Sequence, residues 1–313
     1  MFESAPGVRF TILVSQARLR HIDLKGSLMS FPELKQPKFQ EPRLVTWVTE
    51  SHCRLACNWL TSLQLLGMDQ LATVYCAEDR TVERLSKFLA VSDSAACIDL
   101  TVDNALVNGS HVWGTLNFSR LMVSKLDLLF RLASGGVPFV FSDADAAFLK
   151  DPFYGDAALE NVETDEVCPR SGARRTRMFF HSDAPFGKLA TPAASQLCTG
   201  LIYCPSGDCA HVFQVARAFL VRHLQENRGQ ETSFTDQNAV SGAIQFLCAP
   251  WGVLPDTHWK NGLMEWGVEQ EQTNEEPIFV HANWVIGATN KEQRLRQSNC
   301  WFVREDHLQE CGL

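Results

Sequence analysis

Two carboxylates one residue apart follow an apolar run in the middle of the chain. The run from Phe139 to Phe141 has the continuous hydrophobicity of a strand buried on both faces, and Asp143 and Asp145 come just after it. Alternate residues of an extended chain point to the same side, so both carboxylates face the crevice at the strand end, where open α/β sheets bind ligands. A divalent cation relieves the repulsion between two such carboxylates. The pair therefore predicts a metal site, with a solvated turn as the alternative, because Asp-x-Asp also arises by chance.

A histidine ends a second apolar run much later in the chain. Ile278 to Val280 leads into His281, and Gly287 and Lys291 follow within ten residues of it. Imidazole is a ligand for transition metals such as manganese. Glycine permits close backbone approach to a phosphate, and lysine supplies positive charge. This stretch predicts a metal ligand followed by a phosphate-binding segment, and the alternative is a hydrogen-bonded core histidine followed by a turn.

Five further residues, in three separate stretches, carry chemistry only if the fold turns them inward. Lys125 lies at the border of the apolar stripe of a long helix, where it either stands beside a diphosphate or, as we favour from sequence, extends its ammonium to water. Thr199 and Gly200 indicate a strand entered through a tight glycine turn. Asp236 and Gln237 belong to a polar quartet before a helix, and the sequence favours Asp236 as the helix N-cap.

Strand-like and helical periods alternate along most of the chain. The predicted strands are 44–49, 71–76, 96–100, 137–141, 196–203 and 278–281, and the predicted helices are 53–66, 81–90, 116–133 and 239–247. Such alternation is typical of a parallel sheet with helices on both faces. Residues 1–42 are polar and interrupted by Pro32, Pro37 and Pro42, which predicts an N-terminal arm or linker before a single domain of residues 43–313.

Composition excludes several classes of protein. The 313 residues carry a formal net charge of −8, and an acidic surface repels the phosphate backbone of nucleic acids. No apolar run approaches the roughly 20 residues of a membrane span. Residues 10–14 are apolar but shorter than the about 7–15 residues of a signal-peptide core. The 11 cysteines are odd in number and form no CxxC pair, which favours buried free thiols over disulfides or a structural zinc site.

Taken in order, these stretches resemble the nucleotide-sugar glycosyltransferases of the GT-A fold. They are most similar to the nucleotide-diphospho-sugar transferase group that includes glycosyltransferase family 77, the arabinosyl-, xylosyl- and galactosyltransferases. The resemblance spans residues 43–303 and is carried by Lys125, Ser142 to Asp145, Leu149, Asp151, Pro152, Thr199 to Tyr203, Asp236, Gln237, His281 to Trp284, Gly287 and Lys291. It implies a GT-A (Rossmann-like) α/β fold with a mostly parallel central sheet flanked by helices on both faces.

The resemblance also implies a role for each matching residue. The metal ligands would be Asp143, Asp145 and His281. The donor-binding residues would be Thr49, Glu50, Asp143, Thr199, Gly200, Gly287 and Lys291. The residues beside the transferred sugar, counted as catalytic, would be Asp236, Gln237 and Lys125. One departure is that related enzymes often have Asn-Ser-Gly where this chain has Cys198-Thr199-Gly200, so an amide that recognises the donor sugar is absent.

The activity implied is a metal-dependent transfer, with Mn²⁺ or Mg²⁺, of a sugar from a nucleoside-diphosphate sugar such as a UDP-sugar to a glycan or glycoprotein acceptor, with retention of configuration. Two alternatives stay open on the residues alone. Clustered aspartates also serve metal-dependent phosphohydrolases, and the eight tryptophans suit a non-catalytic carbohydrate-binding protein. The compartment expected is the Golgi lumen if an N-terminal anchor has been left out of this sequence, and otherwise the cytoplasm.

Overall fold

The computed structural model describes residues 42–100, 115–155, 158–162, 164–167, 174–183, 197–227, 234–262 and 276–313. All of them belong to one unit of the chain, Gln36–Leu313. The arm predicted for residues 1–42 lies outside the described residues except for Pro42. No helix in the part of the chain that the structure describes is both long and apolar enough to cross a membrane.

The described residues form strands and helices that largely alternate. The strands are β1 (Arg43–Val48), β2 (Ala72–Cys76), β3 (Cys97–Leu100), β4 (Phe139–Ser142), β5 (Ala146–Phe148), β6 (Asp165–Val167), β7 (Arg174–Thr176), β8 (Met178–Ser182), β9 (Leu197–Cys204), β10 (Trp251–Val253), β11 (Trp259–Asn261) and β12 (Phe279–His281). The α-helices are α1 (Cys53–Leu65), α2 (Asp79–Ser92), α3 (Leu116–Ser134), α4 (Ala210–Glu226), α5 (Asp236–Leu247), α6 (Ala288–Gln297) and α7 (Glu305–Glu310).

Seven strands form the central sheet, in the order β10-β8-β9-β4-β1-β2-β3. Strands β4, β1, β2 and β3 are parallel to one another, and β10 is parallel to β8. Strand β9 runs antiparallel to both of its neighbours, β4 and β8. The sheet is therefore mostly parallel, as predicted, and its central strands are apolar on both faces because both are covered.

Helices cover the two faces of this sheet from opposite sides. Val140 of β4 packs in one core cluster with Trp59 and Leu60 of α1. The next residue, Phe141, lies under α3, with the ammonium nitrogen of Lys125 4.9 Å from its ring centre. Successive residues of a strand point to opposite faces, so α1 and α3 lie on different sides of the sheet. The predicted α/β architecture is confirmed.

A smaller sheet of three strands, in the order β11-β12-β5, supports the other side of the site. Strand β12 is antiparallel to β5, and its register pairs His281 with Ala146. The chain passes from the central sheet to this smaller sheet between Ser142 and Ala146. The two aspartates therefore lie at the junction of the two sheets.

All predicted strands and helices are present, with ends that differ by at most three residues. One local prediction is wrong: Gly200 lies inside β9 rather than in a turn before it. Helices α4, α6 and α7 and the short strands β5, β6, β7, β8, β10 and β11 were not predicted. Each of these strands has only three to five residues, too few positions to show a period. The cysteines among the described residues are free, and all but Cys97 and Cys248 are buried.

Candidate active site

The backbone holds the two aspartates from both sides of the sheet junction. The N–H of Asp143 donates to the carbonyl oxygen of Gly200 at 2.8 Å, which extends the pairing of β4 with β9. The carbonyl oxygen of Asp145 accepts from the N–H of Ala282 at 2.8 Å, which extends the pairing of β5 with β12. The position of each aspartate is therefore set by the register of a different strand pair. Asp145 is only 3% exposed, so the solvated-turn alternative is wrong for this residue.

His281 meets both carboxylates although it lies far along the chain from them. Its Nε2 is 3.4 Å from Oδ1 of Asp145 and 3.9 Å from Oδ2 of Asp143. One ligand atom of each residue lies within 4.8 Å of the others. We call these three residues the acid–histidine group. Two carboxylates and an imidazole are a donor set that suits a divalent cation such as Mn²⁺.

Gly200 makes room for the histidine ring. A Cβ atom at this position would lie 2.0 Å from Cε1 of His281 and 2.8 Å from both ring nitrogens. No side chain fits at that distance, so the glycine permits His281 to approach β9. The resemblance implied that Gly200 belongs to the site. The structure shows why this position needs a glycine: a side chain would collide with the His281 ring.

Lys125 is buried in the site, so the expectation that its ammonium extends to water is wrong. Its Nζ lies 2.9 Å from Oδ1 of Asp143 and 3.0 Å from Oδ2 of Asp236, and it donates to the carbonyl oxygen of Thr199 at 3.1 Å. Burial favours the neutral amine, but the two carboxylates outweigh it and raise the pKa of Lys125. The border of the apolar stripe of α3 faces the strand ends, where these acceptors satisfy the charge.

Asp236 is not the helix N-cap that the sequence favoured. Thr235 caps α5, and Thr235 and Asn238 bond reciprocally to each other's backbone in a capping box. Asp236 is instead the first residue of the helix and is buried, and its Oδ2 accepts from the hydroxyl of Thr199 at 2.8 Å. Because Asn238 completes the cap, the Asp236 carboxylate is free to turn inward toward Lys125.

Asp183 lies in the site and was missed by sequence reasoning. Its carboxylate accepts from Nε2 of Gln237 at 2.9 Å and from Nδ2 of Asn283 at 3.1 Å. Burial raises the pKa of Asp183, and these donors oppose that rise. The only sequence signal was the apolar run of β8 before it, inside a segment without a clear period. Asp183 therefore links Gln237 to the segment that carries His281.

Helix α6 brings a second ammonium to the acid–histidine group. Gly287 precedes the helix with a φ of 89°, a conformation that favours glycine. One turn later, Nζ of Lys291 lies 2.5 Å from Oδ2 of Asp145. Burial favours the neutral acid, yet Lys291 and His281 hold the pKa of Asp145 well below its usual range. Burial likewise opposes protonation of His281, but Asp145 raises the pKa of His281 to about 10.

Thr49 and Glu50 lie at the same edge of the central sheet but make other contacts. They follow β1, which is parallel to β4, so both strands end at this edge. The carboxylate of Glu50 pairs with Nε of Arg80 and Nη1 of Arg84, each at 3.1 Å. The hydroxyl of Thr49 lies 3.1 Å from that of Ser51. Their predicted role in a nucleoside pocket stays a prediction.

The charged side chains of the site form ion pairs between lysines and aspartates. Each aspartate of the acid–histidine group has its own ammonium partner, Lys125 for Asp143 and Lys291 for Asp145. The side chain of Asp143 is 37% exposed, which opens the group to solvent on that side. Such an arrangement balances its own charge and can place positive charge beside an anion such as a diphosphate.

Comparison with known proteins identifies the family of this chain. The model of the nucleotide-diphospho-sugar transferase family matches residues 72–295. A curated relative, UDP-D-xylose:L-fucose alpha-1,3-D-xylosyltransferase 3 of Arabidopsis thaliana, is 22% identical over 261 residues, which is 82% of this chain and 65% of that protein. The chain therefore spans slightly less than two thirds of the length of this relative.

Solved structures show the same fold at low identity. The bifunctional glycosyltransferase WbbM is similar with a TM-score of 0.51 and 10% identity, over 83% of this chain and 50% of that chain. An active-site mutant of LgtC is similar with a TM-score of 0.50 and 8% identity, over 86% of this chain and 99% of that chain. Since the family model covers most of the sequence, this chain belongs to the nucleotide-diphospho-sugar transferase family, whose members are glycosyltransferases of the GT-A fold.

Proposed function

We propose that this protein transfers a sugar from a UDP-sugar to a glycan or glycoprotein acceptor, with retention of configuration and in dependence on a divalent cation. The observation that carries the proposal is the meeting of Asp143, Asp145 and His281 at the junction of the two sheets. The relative from Arabidopsis is named for a UDP-D-xylose donor, so UDP-xylose is the first donor to test.

The residues of the acid–histidine group fit a bound Mn²⁺ or Mg²⁺. Carboxylate oxygens suit both ions, and the imidazole favours Mn²⁺ of the two. When bound, the cation supplies positive charge that offsets the charge of a departing nucleoside diphosphate. The carboxylates are fixed for this task by backbone bonds to Gly200 and Ala282 rather than by flexible loops.

The chain itself supplies further positive character beside the diphosphate. Lys291 reaches the acid–histidine group from the first turn of α6, and the N–H groups that begin this helix form an anion-binding end. Gly287 keeps that end free of a side chain. We assign the diphosphate to this region, because preorganised positive groups stabilise charge that develops on a leaving oxygen.

Asp236 and Gln237, at the start of α5, are positioned to orient the transferred sugar. Lys125 and Thr199 hold the Asp236 carboxylate, and Gln237 is held through Asp183. Retention by a front-face route needs no protein nucleophile, since the departing phosphate accepts the proton of the acceptor hydroxyl. The residues named here then orient the sugar and favour positive charge at its anomeric carbon.

The test is an assay of the purified protein with Mn²⁺ and a panel of UDP-sugars, comparing Asp145→Asn with the parent. We expect the variant to lose at least about 1000-fold in transfer rate, equivalent to about 4 kcal/mol of barrier. Asp151→Asn is the matched control: Asp151 accepts from the N–H of Phe153 at 2.8 Å, and asparagine keeps that acceptor. Equal rates for the parent and Asp145→Asn contradict the proposal.

The same assay distinguishes the two alternative functions. A metal-dependent phosphohydrolase releases phosphate and transfers no sugar to an acceptor. A non-catalytic carbohydrate-binding protein binds glycan in calorimetry without nucleotide or cation. Either result replaces the transferase proposal for this chain.

Two broader proposals accompany the activity. We propose that residues 1–42 are an arm or linker before a domain of residues 43–313, and that the protein acts in the Golgi lumen if an anchor precedes this sequence and otherwise in the cytoplasm. Limited proteolysis tests the first, with early cleavage expected before Arg43. Imaging of the tagged natural protein tests the second.

A further inference from the structure

A second cluster of donor atoms lies next to the acid–histidine group and shares His281 with it. His181 and Cys198 are paired across β8 and β9, and His281 approaches the same strand at Gly200. All three side chains are buried, and one ligand atom of each lies within 4.8 Å of the others. We call His181, Cys198 and His281 the thiol–imidazole cluster. The activity proposed above uses neither His181 nor Cys198.

The His181 ring presents an unused lone pair inside the protein. Its Nε2 lies 2.7 Å from the carbonyl oxygen of Trp259, and a carbonyl can only accept, so Nε2 carries the proton. Nδ1 is then an unprotonated nitrogen. It is buried, and none of the described residues gives it a hydrogen-bond partner. A buried imidazole nitrogen without a partner costs free energy that a ligand at this position would recover.

Cys198 and His281 lie beside the His181 ring, and one ligand atom of each of the three residues lies within 4.8 Å of the others. Sγ of Cys198 is 3.8 Å from Nδ1 of His281, the nitrogen that faces away from the two aspartates. Nδ2 of Asn283 donates to the same sulfur at 3.7 Å, so the sulfur is already placed as an acceptor. In a tetrahedral zinc centre, with Zn–S near 2.3 Å and Zn–N near 2.0 Å, sulfur and nitrogen ligands stand about 3.5 Å apart.

We propose that the thiol–imidazole cluster is a binding site for a thiophilic divalent cation, with Zn²⁺ as the ion it suits best. The ligands are Nδ1 of His181, Sγ of Cys198 and Nδ1 of His281, and a fourth position is left for water. Binding forms one Zn–S and two Zn–N bonds, and the thiol proton of Cys198 and any proton on Nδ1 of His281 pass to solvent. Thiolate and imidazole donors select Zn²⁺ over Mn²⁺ and Mg²⁺, which prefer oxygen.

The shared histidine couples this cluster to the acid–histidine group. A neutral imidazole that ligates through Nδ1 keeps its proton on Nε2, the nitrogen 3.4 Å from Asp145. That nitrogen then has no lone pair for a cation held by the two aspartates. Zn²⁺ in the thiol–imidazole cluster therefore weakens Mn²⁺ binding next to it. This antagonism rests on the proposed metal-dependent transfer, whereas zinc binding itself does not.

The first experiment measures Zn²⁺ binding to the full chain after removal of all metal. We expect one equivalent to bind, and X-ray absorption at the zinc edge should show a first shell of one sulfur and two or three nitrogen or oxygen neighbours. This measurement needs no variant and therefore no assumption about folding. A shell without sulfur, a shell with several sulfurs, or no stoichiometric binding overturns the proposal.

The second experiment compares Cys198→Ser with Cys204→Ser by competition against a chromophoric zinc chelator. Cys204 is a buried thiol on the same strand but outside the cluster, so it controls for the loss of a thiol from β9. We expect the Zn²⁺ affinity of Cys198→Ser to fall at least tenfold and that of Cys204→Ser to match the parent. Equal affinities for the parent and a folded Cys198→Ser overturn the proposal.

The third experiment asks whether Zn²⁺ opposes Mn²⁺. In the transfer assay, the Zn²⁺ concentration for half inhibition should rise with Mn²⁺ in the parent and should be at least tenfold higher in Cys198→Ser. If the protein binds Zn²⁺ through one sulfur but transfers no sugar, the site stands and the proposed function fails. If it transfers sugar and Zn²⁺ inhibits both proteins equally, the antagonism is wrong.

Discussion

Lys125 links three acceptors that come from three different elements. Its ammonium contacts Asp143 after β4, Asp236 at the start of α5 and the backbone of Thr199 in β9. The charge lies in a buried environment and is matched by two carboxylates, so removing it leaves like charges facing each other. The residue therefore bears on stability as well as on any role beside the donor sugar.

Replacing Lys125 by methionine should lower the free energy of unfolding by about 3 kcal/mol, because the Asp236 carboxylate is left buried without a cation. Denaturant unfolding measures this loss. The double variant Lys125→Met/Asp236→Asn removes both charges and should lose less than the sum of the two single variants. Strictly additive losses contradict the interpretation that these side chains form one buried pair.

The second prediction at the residue scale concerns Gly200. Gly200→Ala places a Cβ 2.0 Å from the His281 ring and should displace it, with a stability loss of about 1–3 kcal/mol and at least tenfold weaker Mn²⁺ binding. Calorimetric Mn²⁺ titration measures the affinity. The control is Gly242→Ala in α5, where the nearest atoms belong to the Phe219 side chain at 3.3 Å. Unchanged Mn²⁺ affinity in Gly200→Ala argues against His281 as a ligand.

At the scale of elements, α6 is held on α1 by charged side chains. Nε and Nη2 of Arg54 in α1 each donate to the Glu292 carboxylate of α6 at 2.9 Å. Glu292 follows Lys291 in the sequence, so this contact also orients the turn that carries the ammonium to Asp145. Hydrogen bonds to Arg54 hold the pKa of Glu292 below its ordinary value of 4.5, against the effect of burial.

Glu292→Gln should therefore lower the free energy of unfolding by about 1–2 kcal/mol near pH 7. A lowered pKa means that this stabilisation is present above the unfolded value of 4.5 and is lost as the pH falls through the folded value. The difference between parent and variant should accordingly shrink below about pH 4.5, which urea unfolding over a pH series measures.

The control for this prediction is Glu83→Gln in α2. Glu83 pairs with Lys87 one turn later, and both side chains are more than half exposed, so its loss should be too small to resolve. A constant difference between parent and Glu292→Gln across the pH series contradicts the ionic origin of the contact.

At the scale of the whole molecule, the candidate site ties together the two sheets and the helices that pack against them. Asp143 follows β4 of the central sheet, Asp145 precedes β5 of the smaller sheet, and His281 ends β12. Lys125 and Asp236 belong to helices α3 and α5. A ligand that binds these elements together favours the native state over the unfolded chain, in which none of them meet. Ligand binding should therefore appear as global stabilisation.

UDP with Mn²⁺, each at about 100 times its dissociation constant, should add about 2.7 kcal/mol or more of stability and raise the Tm by about 5–10 °C. Differential scanning fluorimetry measures the shift. Asp145→Asn should show less than half of it, and uridine, which lacks the diphosphate, should give little stabilisation with the parent. A shift from uridine equal to that from UDP shows that the diphosphate is not recognised.

The sequence alone was sufficient for the architecture and for placing the two aspartates of the acid–histidine group side by side. Strands such as β1 and β4 and helices such as α1 and α3 are determined by local hydrophobic periods, which involve neighbours in the chain. Asp143 and Asp145 were found for the same reason, since their spacing is local. His281, Lys291 and Asp236 were candidates from their residue types, with alternatives open, and the resemblance joined them in one ordered set without any account of how they meet.

Only the tertiary structure decided which way the isolated polar residues point. Whether Lys125 reaches water or the carboxylates depends on what faces the border of its helix, and whether Asp236 caps its helix depends on the contacts of Thr235 and Asn238. His181 and Asp183 had only the short apolar run of β8 as a local signal. Their neighbours come from the register of β8 with β9 and from the antiparallel pairing of β12 with β5. Local periodicity specifies elements, whereas long-range pairing specifies which side chains become neighbours.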